Sequence, residues 1–401
     1  MGPKRITLPR VLPAVAALLL LGCSTPGGRG ISPAGLQVDG AAPPAGSQPA
    51  APSDATPAGG AAAGAAPGAN PAAPAAGAPE QPGIRESEWT LENSSGTILE
   101  GPHIRMHSTL RDAAFARSLA TFAEFAFDNY HTALAPLPVP VRTLESYVFG
   151  TRSQWEAFAN ERLGKDAATY TAIGKGGFTT DATAILYDIG RPDTYTILAH
   201  EGWHQYSQSV LKHQMPVWME EGVACWMEGL RLNRDGKGAT FLPWRNMERF
   251  GELRNAAQRD RLISLEKLLD STPEAFLREG KDRMLLYYAQ VWALVHFLNE
   301  GEGGRYREGM RQLLADAAAG RLAGRMAASR VFPNPKVRSM QLGGRIGKWV
   351  LMEYANPSFA ELKRQYDAFV EQVVAPGSGQ RIWRGESPLP SAPASGPQGP
   401  P

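Results

Sequence analysis

His200-Glu201-Gly202-Trp203-His204 sets two imidazoles four residues apart, with a carboxylate directly after the first. On a helix that spacing stacks both imidazoles on one face, where they can meet a single metal ion. Glu201 then projects beside the ion, where a base that takes a proton from water must stand. Thr194 to Ala199 has helix-compatible apolar spacing, with Asp193 or Thr194 as the expected cap. Two histidines leave a catalytic zinc site one ligand short, because such sites hold three protein ligands and one open position. Pro216 can open a second helix after a short connection through His213 and Gln214. Helices joined so tightly run antiparallel, which returns an early residue of the second towards the histidines. Glu220 and Glu221 both qualify, and being about 100° apart on that helix, only one can face the ion.

The pattern His200-Glu201-x-x-His204, followed by Pro216-x-Trp218-x-x-Glu221-Gly222-x-Ala224, resembles the gluzincins, zinc metallopeptidases of the MA clan. It is most similar to a peptidase-MA-like group of bacterial envelope lipoproteins of unassigned function. The resemblance covers about residues 140 to 315. Gly176-Gly177-Phe178 falls where such proteins have the strand edging the cleft, and Tyr288 to Leu298 looks like a later helix of the group. An α+β, zincin-like fold is implied: a small mixed sheet with an edge strand over the cleft, an active-site helix and a mostly helical C-terminal lobe. The implied zinc ligands are His200, His204 and Glu221, with Glu220 as the solvent-side neighbour of the third. Many gluzincins carry an acid four residues beyond the ligand glutamate to orient a histidine. Here that position is Cys225, read as a small buried filler, and the next acid is Glu228, so orientation must come from elsewhere.

Two neutral imidazoles and one carboxylate leave the zinc site with net positive charge, suited to polarising water and a substrate carbonyl. Glu201 would take the proton and pass it to the leaving amine of a peptide or protein substrate. A further donor must stabilise the oxyanion; Tyr288 leads Tyr287 and His213 as the candidate. A strand over Phe178 to Leu186 could hold the substrate in extended form. Two rival readings share these residues: an inactive pseudo-peptidase that binds an envelope partner, and a zinc amidase acting on cell-wall peptides.

The elements that must position these groups are legible in outline. Phe115, Leu119, Phe122, Ala126 and Tyr130 recur at helical spacing, and Ser153 to Leu163 reads as a helix with a Ser cap. Leu144 to Phe149 reads as a strand, and Gly176 to Asp188 as a strand or hairpin. Helices are expected over about 194–211, 217–230, 284–299, 304–318 and 359–374. Strands early and helices late indicate α+β rather than a doubly wound sheet. The globular segment is expected at 86–374, with an α/β part at 86–193 and a helical part at 194–374. His103, His107, His131 and His296 read as surface or packed histidines, and Trp203, Trp218, Trp226, Trp244 and Trp292 as core.

The two ends differ in kind from this segment. Lys4, Arg5 and Arg10 precede a short apolar run, Val11 to Leu21, far below the ~20 residues of a membrane-spanning helix. It ends in Leu20-Leu21-Gly22-Cys23, which resembles a bacterial lipobox, so residues 1–23 read as a lipoprotein signal with Cys23 as the acylated residue. Ser24 after the cysteine resembles the sorting rule for the outer membrane, which places the chain in the periplasm on a lipid anchor. Residues 24–85, rich in Ala, Pro, Gly and Ser, read as a disordered tether with a reach of about 45 Å. Residues 375–401 have the same flavour and are expected to lack structure.

Charge removes other classes. With 41 Lys+Arg against 39 Asp+Glu the chain has no bulk field for nucleic acid, and two cysteines cannot make a disulfide framework. Arg321, Arg325, Arg330, Lys336, Arg338, Arg345 and Lys348 form a basic run without an acid between Ala317 and Met352. It reads first as a solvated face, and second as a contact for cell-wall polymer or anionic lipid through 321–348.

Overall fold

A computed structural model of the chain describes residues 82–91, 94–171, 176–331 and 334–390. The expected signal, Cys23 and the tether up to residue 81 lie outside the described residues. The first strand, β1 (Arg85–Leu91), begins one residue before the expected start of the globular segment.

Polar or short segments supply β1, β2 (Ser94–Glu100) and β3 (Ile104–Ser108), which pair antiparallel in sequence. β1 and β2 have little hydrophobic signature of their own, while β3 alternates buried Ile104 and Met106 with partly exposed Arg105 and His107 over only five residues. β4 (Leu144–Phe149) lies where its β-branched and aromatic residues predict. β5 (Gly177–Thr180) and β6 (Thr183–Tyr187) form the expected hairpin. The six strands run in the order β1-β2-β3-β4-β6-β5, with β3–β4 and β4–β6 parallel and the rest antiparallel. The sheet is therefore mixed and β5 is an edge, as an α+β fold requires.

Period-two alternation assigns the two faces. Ser146 of β4 faces the helix that carries the histidines, where its hydroxyl donates to Gln205 Oε1 at 3.1 Å. Tyr147 faces the other way, 4.6 Å from the Phe158 ring of the Arg152–Leu163 helix. That helix is capped by Thr151, two residues before the expected Ser153, because Thr151 Oγ1 accepts from Gln154 N. Its Trp155 indole donates to Ile185 O at 3.1 Å.

The helix Ala113–Thr132, capped by Asp112, buries the predicted Phe115, Leu119, Phe122, Ala126 and Tyr130. Tyr130 donates to Ala199 O at 2.8 Å and so clamps the motif helix, Arg191–Val210, to it. Gly202 makes that approach possible, since a Cβ there would stand 2.3 Å from the Tyr130 hydroxyl. The motif helix starts earlier than expected, with Gly190 at its cap and Pro192 in its first turn. Thr194, expected as a cap, instead lies inside and bonds back to Gly190 O.

The rest of the described chain is mainly helical. The glutamate helix, Val217–Met227, packs on the long helix Lys281–Glu300. Gly222 sets their closeness, because a Cβ at that point would meet Val291 O and Val295 Cγ2, both at 2.7 Å. A two-stranded ribbon, β7 (Leu230–Leu232) with β8 (Ala239–Phe241), follows the glutamate helix. Among the described residues no helix is long and apolar enough to cross a membrane.

One expectation needs correction. Residues Ser378–Arg384 form a helix rather than a structureless tail, because Ile382 is fully buried and Trp383 stacks under Arg245 at 5.4 Å. In the basic run, several cations are partly exposed and ion-paired with acids from outside it. Arg321 and Arg325 pair with Asp316, which lies just outside the run, and Lys348 pairs with Glu266.

Gly222→Ala should destabilise the fold by about 1–3 kcal/mol in urea unfolding through overpacking. Gly251→Ala, where nothing lies within 4 Å of the added carbon, should be neutral or stabilise by up to ~1 kcal/mol. The buried Asp316 carboxylate resists its own desolvation through bonds from Tyr354, Gln312 and Arg321, which hold its pKa below the usual 3.8. A depressed carboxylate stabilises above its unfolded pKa and loses that contribution as pH falls further. Asp316→Asn should therefore cost about 1–3 kcal/mol at pH 7. Thermal melts should show that gap shrinking as pH drops below 3.8.

Candidate metal centre

His200 and His204 stack on one face of the motif helix, with ring centroids 4.9 Å apart. The glutamate helix returns Glu221 to them, and its Oε2 lies 3.5 Å from Nε2 of each histidine. The three predicted ligands therefore converge. Glu221 and His200 are fully buried and His204 is 3% exposed.

Among the described residues, the Nε2 atoms of both histidines, both oxygens of Glu221 and Oε1 of Glu201 are buried without a hydrogen-bond partner. Each such atom costs about 1–3 kcal/mol if left unsatisfied, so five together mark a place where a cation fits. The donor set of two imidazoles and one carboxylate is one that divalent transition ions accept.

Charge supports the same fit. Burial opposes ionisation at every group here, yet the paired charges overcome it. Burial pushes Glu221 up, yet the positive charges of His204 and His200, each with Nε2 3.5 Å from its Oε2, outweigh that and hold it at about 2. His204 is raised to about 10 against its burial by the charge of Glu221 and its bond to Glu220. His200 is raised against its burial by the Glu221 carboxylate 3.5 Å away and by its bond to Glu228. The carboxylates thus demand positive charge at this point, whether carried by protons or by a bound ion.

Each histidine is oriented by a second carboxylate. His200 Nδ1 donates to Glu228 Oε1 at 2.9 Å, and His204 Nδ1 donates to Glu220 Oε1 at 3.1 Å. These bonds fix the tautomer that leaves Nε2 free for an ion. Glu220, expected on the solvent side, is 6% exposed and also accepts from Ser207 Oγ. Glu228, passed over because it lies seven residues beyond Glu221 instead of four, supplies the orientation that Cys225 cannot. Seven residues are two helical turns, so Glu228 returns to the face of Glu221. Arg249 Nη2 at 2.9 Å and Asn246 Nδ2 at 2.6 Å hold the Glu228 carboxylate. Despite full burial, the Arg249 charge keeps Glu228 near 2.

His200, Cys225 and Glu228 form a second compact group of donor types. Glu228 is already committed to Arg249 and Asn246, and burial pushes the Cys225 thiol well up. Full burial among apolar neighbours suits the small filler read from the sequence.

Glu201 is fully buried, with Oε2 accepting from Thr179 Oγ1 at 2.7 Å and Oε1 unpartnered. Desolvation pushes its pKa to about 7, against the opposing charges of His204 and His200. Thr179 was not foreseen. It comes from β5, whose alternation turns Thr179 to the motif helix and Phe178 to Trp155 and Tyr170. A hairpin residue facing a helix 22 positions later leaves no local signal.

Tyr288 is fully buried, with its ring 6.1 Å from that of His200 and under the Arg249 guanidinium at 5.2 Å. Tyr287 is also fully buried, and its hydroxyl has no hydrogen-bond partner. Burial drives both phenols well up, so both stay neutral donors. His213 is not part of the centre; its Nδ1 accepts from Ala323 N. The other histidines are held elsewhere: His103 by Glu124, His107 by Glu145, His131 by Phe127 O, and His296 by Glu300 and the stacked Trp244.

Over residues 194–316 the chain matches a family described as a protein of unknown function (DUF1570), which is peptidase-like. The match spans both histidines, Glu201, Glu221, Glu228, Arg249 and the helix of Tyr288. No curated protein matches the chain.

Metal analysis should find one divalent ion per chain, lost in Glu221→Ala. In Glu220→Ala and Glu228→Gln the ion should remain but bind about 10–100-fold more weakly in chelator competition.

Proposed function

We propose that the chain is a zinc-dependent metallohydrolase of gluzincin type, a peptidase that cleaves amide bonds. The observation that carries this reading is the convergence of five unpartnered buried atoms from His200, His204, Glu221 and Glu201. Zinc would supply Lewis acidity to the substrate carbonyl and to water at this point.

The chain's own groups do the rest. Glu201 Oε1 accepts a proton from the attacking water, while Thr179 holds Oε2 and fixes the carboxylate plane. Desolvation raises this carboxyl above its usual range, which suits a group that must both take the proton and return it to the departing amine nitrogen. Tyr288, whose ring packs against His200, is the candidate oxyanion donor, with Tyr287 beside it as the alternative. The outer edge of β5 pairs with no strand among the described residues, which suits an extended peptide. A lipid anchor at Cys23 and residence at the outer membrane, facing the periplasm, complete the proposal.

One observation favours the rival, an inactive envelope-binding protein: Glu201 is wholly shielded from solvent. Glu201→Gln separates the two. Incubated with a complex peptide mixture and read by mass spectrometry, the zinc-loaded wild type should generate new termini. The variant should lose at least about 100-fold in rate with its zinc content intact. Equal cleavage by the variant, or none by the wild type, would refute the peptidase.

A further inference from the structure

A cavity of about 440 Å³ borders the centre on the His204 side, with Asp181, His204, Lys212, Glu220 and Arg345 in its wall. Arg345 is pinned there. Its backbone is left-handed at φ 56°, its carbonyl accepts from Val217 N at 2.8 Å, and its Nε donates to Met215 O at 2.7 Å. The same residue thus closes the first turn of the glutamate helix and commits one edge of its guanidinium. Neither Arg345 nor Lys212 pairs with a carboxylate among the described residues, whereas Arg321, Arg325 and Lys348 of the same basic run all do.

The acids in the wall do not neutralise it equally. Glu220 holds His204 Nδ1 and Ser207 Oγ through Oε1 and keeps its negative charge in the wall, yet it lies beyond ion-pair distance of Arg345. Asp181 sits exposed on the β5–β6 turn, where φ is 48°. Lys212 is likewise at the exposed rim. The half-buried inner cation, Arg345, is fixed and planar, with no carboxylate at ion-pair distance among the described residues, in the same wall as the proposed ligand His204. A guanidinium so held pairs best with a carboxylate, which can take two parallel hydrogen bonds.

We infer that Arg345, with Lys212 at the rim, forms a subsite for a substrate carboxylate, so that the hydrolase acts on acidic peptides. The inference rests on the metallohydrolase reading. The carboxylate could belong to an acidic side chain or to the free end of a peptide.

The test uses the full zinc-loaded protein and calorimetric titration with hydroxamates, which anchor on the metal, carrying two to six methylenes and ending in a carboxylate or the matching amide. At the best spacer the acid should bind about tenfold tighter than the amide. Arg345→Gln should bring the acid down to the level of the amide, and Arg345→Lys should retain part of the difference. Thermal melting checks that each variant folds; should Arg345→Gln not fold, the wild-type comparison and Arg345→Lys decide. Equal binding of acid and amide at every spacer, or an acid preference untouched in folded Arg345→Gln, overturns the inference and leaves the metal centre standing. Failure of both series to bind overturns both. Matched peptides then name the source: Glu against Gln within the chain, and free against amidated C-terminus. Preference within either pair supports the subsite; indifference in both overturns it.

Discussion

Two imidazole nitrogens and both oxygens of one carboxylate, shut away from water with no partner, would oppose folding unless something positive stood between them. That electrostatic requirement organises the centre of this protein. His200 and His204 cannot satisfy Glu221 by direct hydrogen bonds, since both separations are 3.5 Å. Their other ring nitrogens are already spent on Glu228 and Glu220. What remains is a set of lone pairs aimed at one point.

Much of the surrounding scaffold keeps those lone pairs aimed. Gly202 lets Tyr130 reach Ala199 O and hold the motif helix against its neighbour. Gly222 lets the glutamate helix lie close on the Lys281–Glu300 helix, so that Glu221 stays within reach of both histidines. From the sheet, Thr179 on the edge strand fixes Glu201, and Ser146 bonds Gln205 one residue beyond the second histidine. The sheet, the motif helix and the glutamate helix thus each contribute one constraint, and none of the three elements could build the centre alone.

The two histidines are supported differently. His200 rests on a wholly buried network in which Arg249 balances Glu228, a cation against an anion in low dielectric. His204 rests on Glu220, which among the described residues has the Ser207 hydroxyl as its one further partner and stands at the wall of a cavity. One side of the centre is therefore sealed and structural. The other opens towards space lined by charge, and any selectivity for a ligand must be expressed there.

The sequence by itself determined which residues form the buried His/Glu cluster on adjoining helices, the hydrophobic helices and the hairpin that edges the sheet. Those depend on spacing along one element: four residues between histidines, 3.6-residue periodicity over Phe115 to Tyr130, alternation over Leu144 to Phe149. It also narrowed the proposed third ligand to two neighbours, with family resemblance choosing Glu221. Tertiary structure alone decided the partners that lie across elements. Thr179 meets Glu201 through sheet-on-helix packing, and Arg249 meets Glu228 through a helix entered 18 residues later. β1 and β2 have too few apolar residues, and β3 too short an alternation, to declare themselves, and they exist as strands because each completes another's hydrogen bonds. The tail behaves likewise: one buried Ile382 orders a segment whose composition suggested none. Local pattern reports what a residue can do; contact between distant segments sets which of those capacities is used, because burial and charge pairing are properties of the assembled fold.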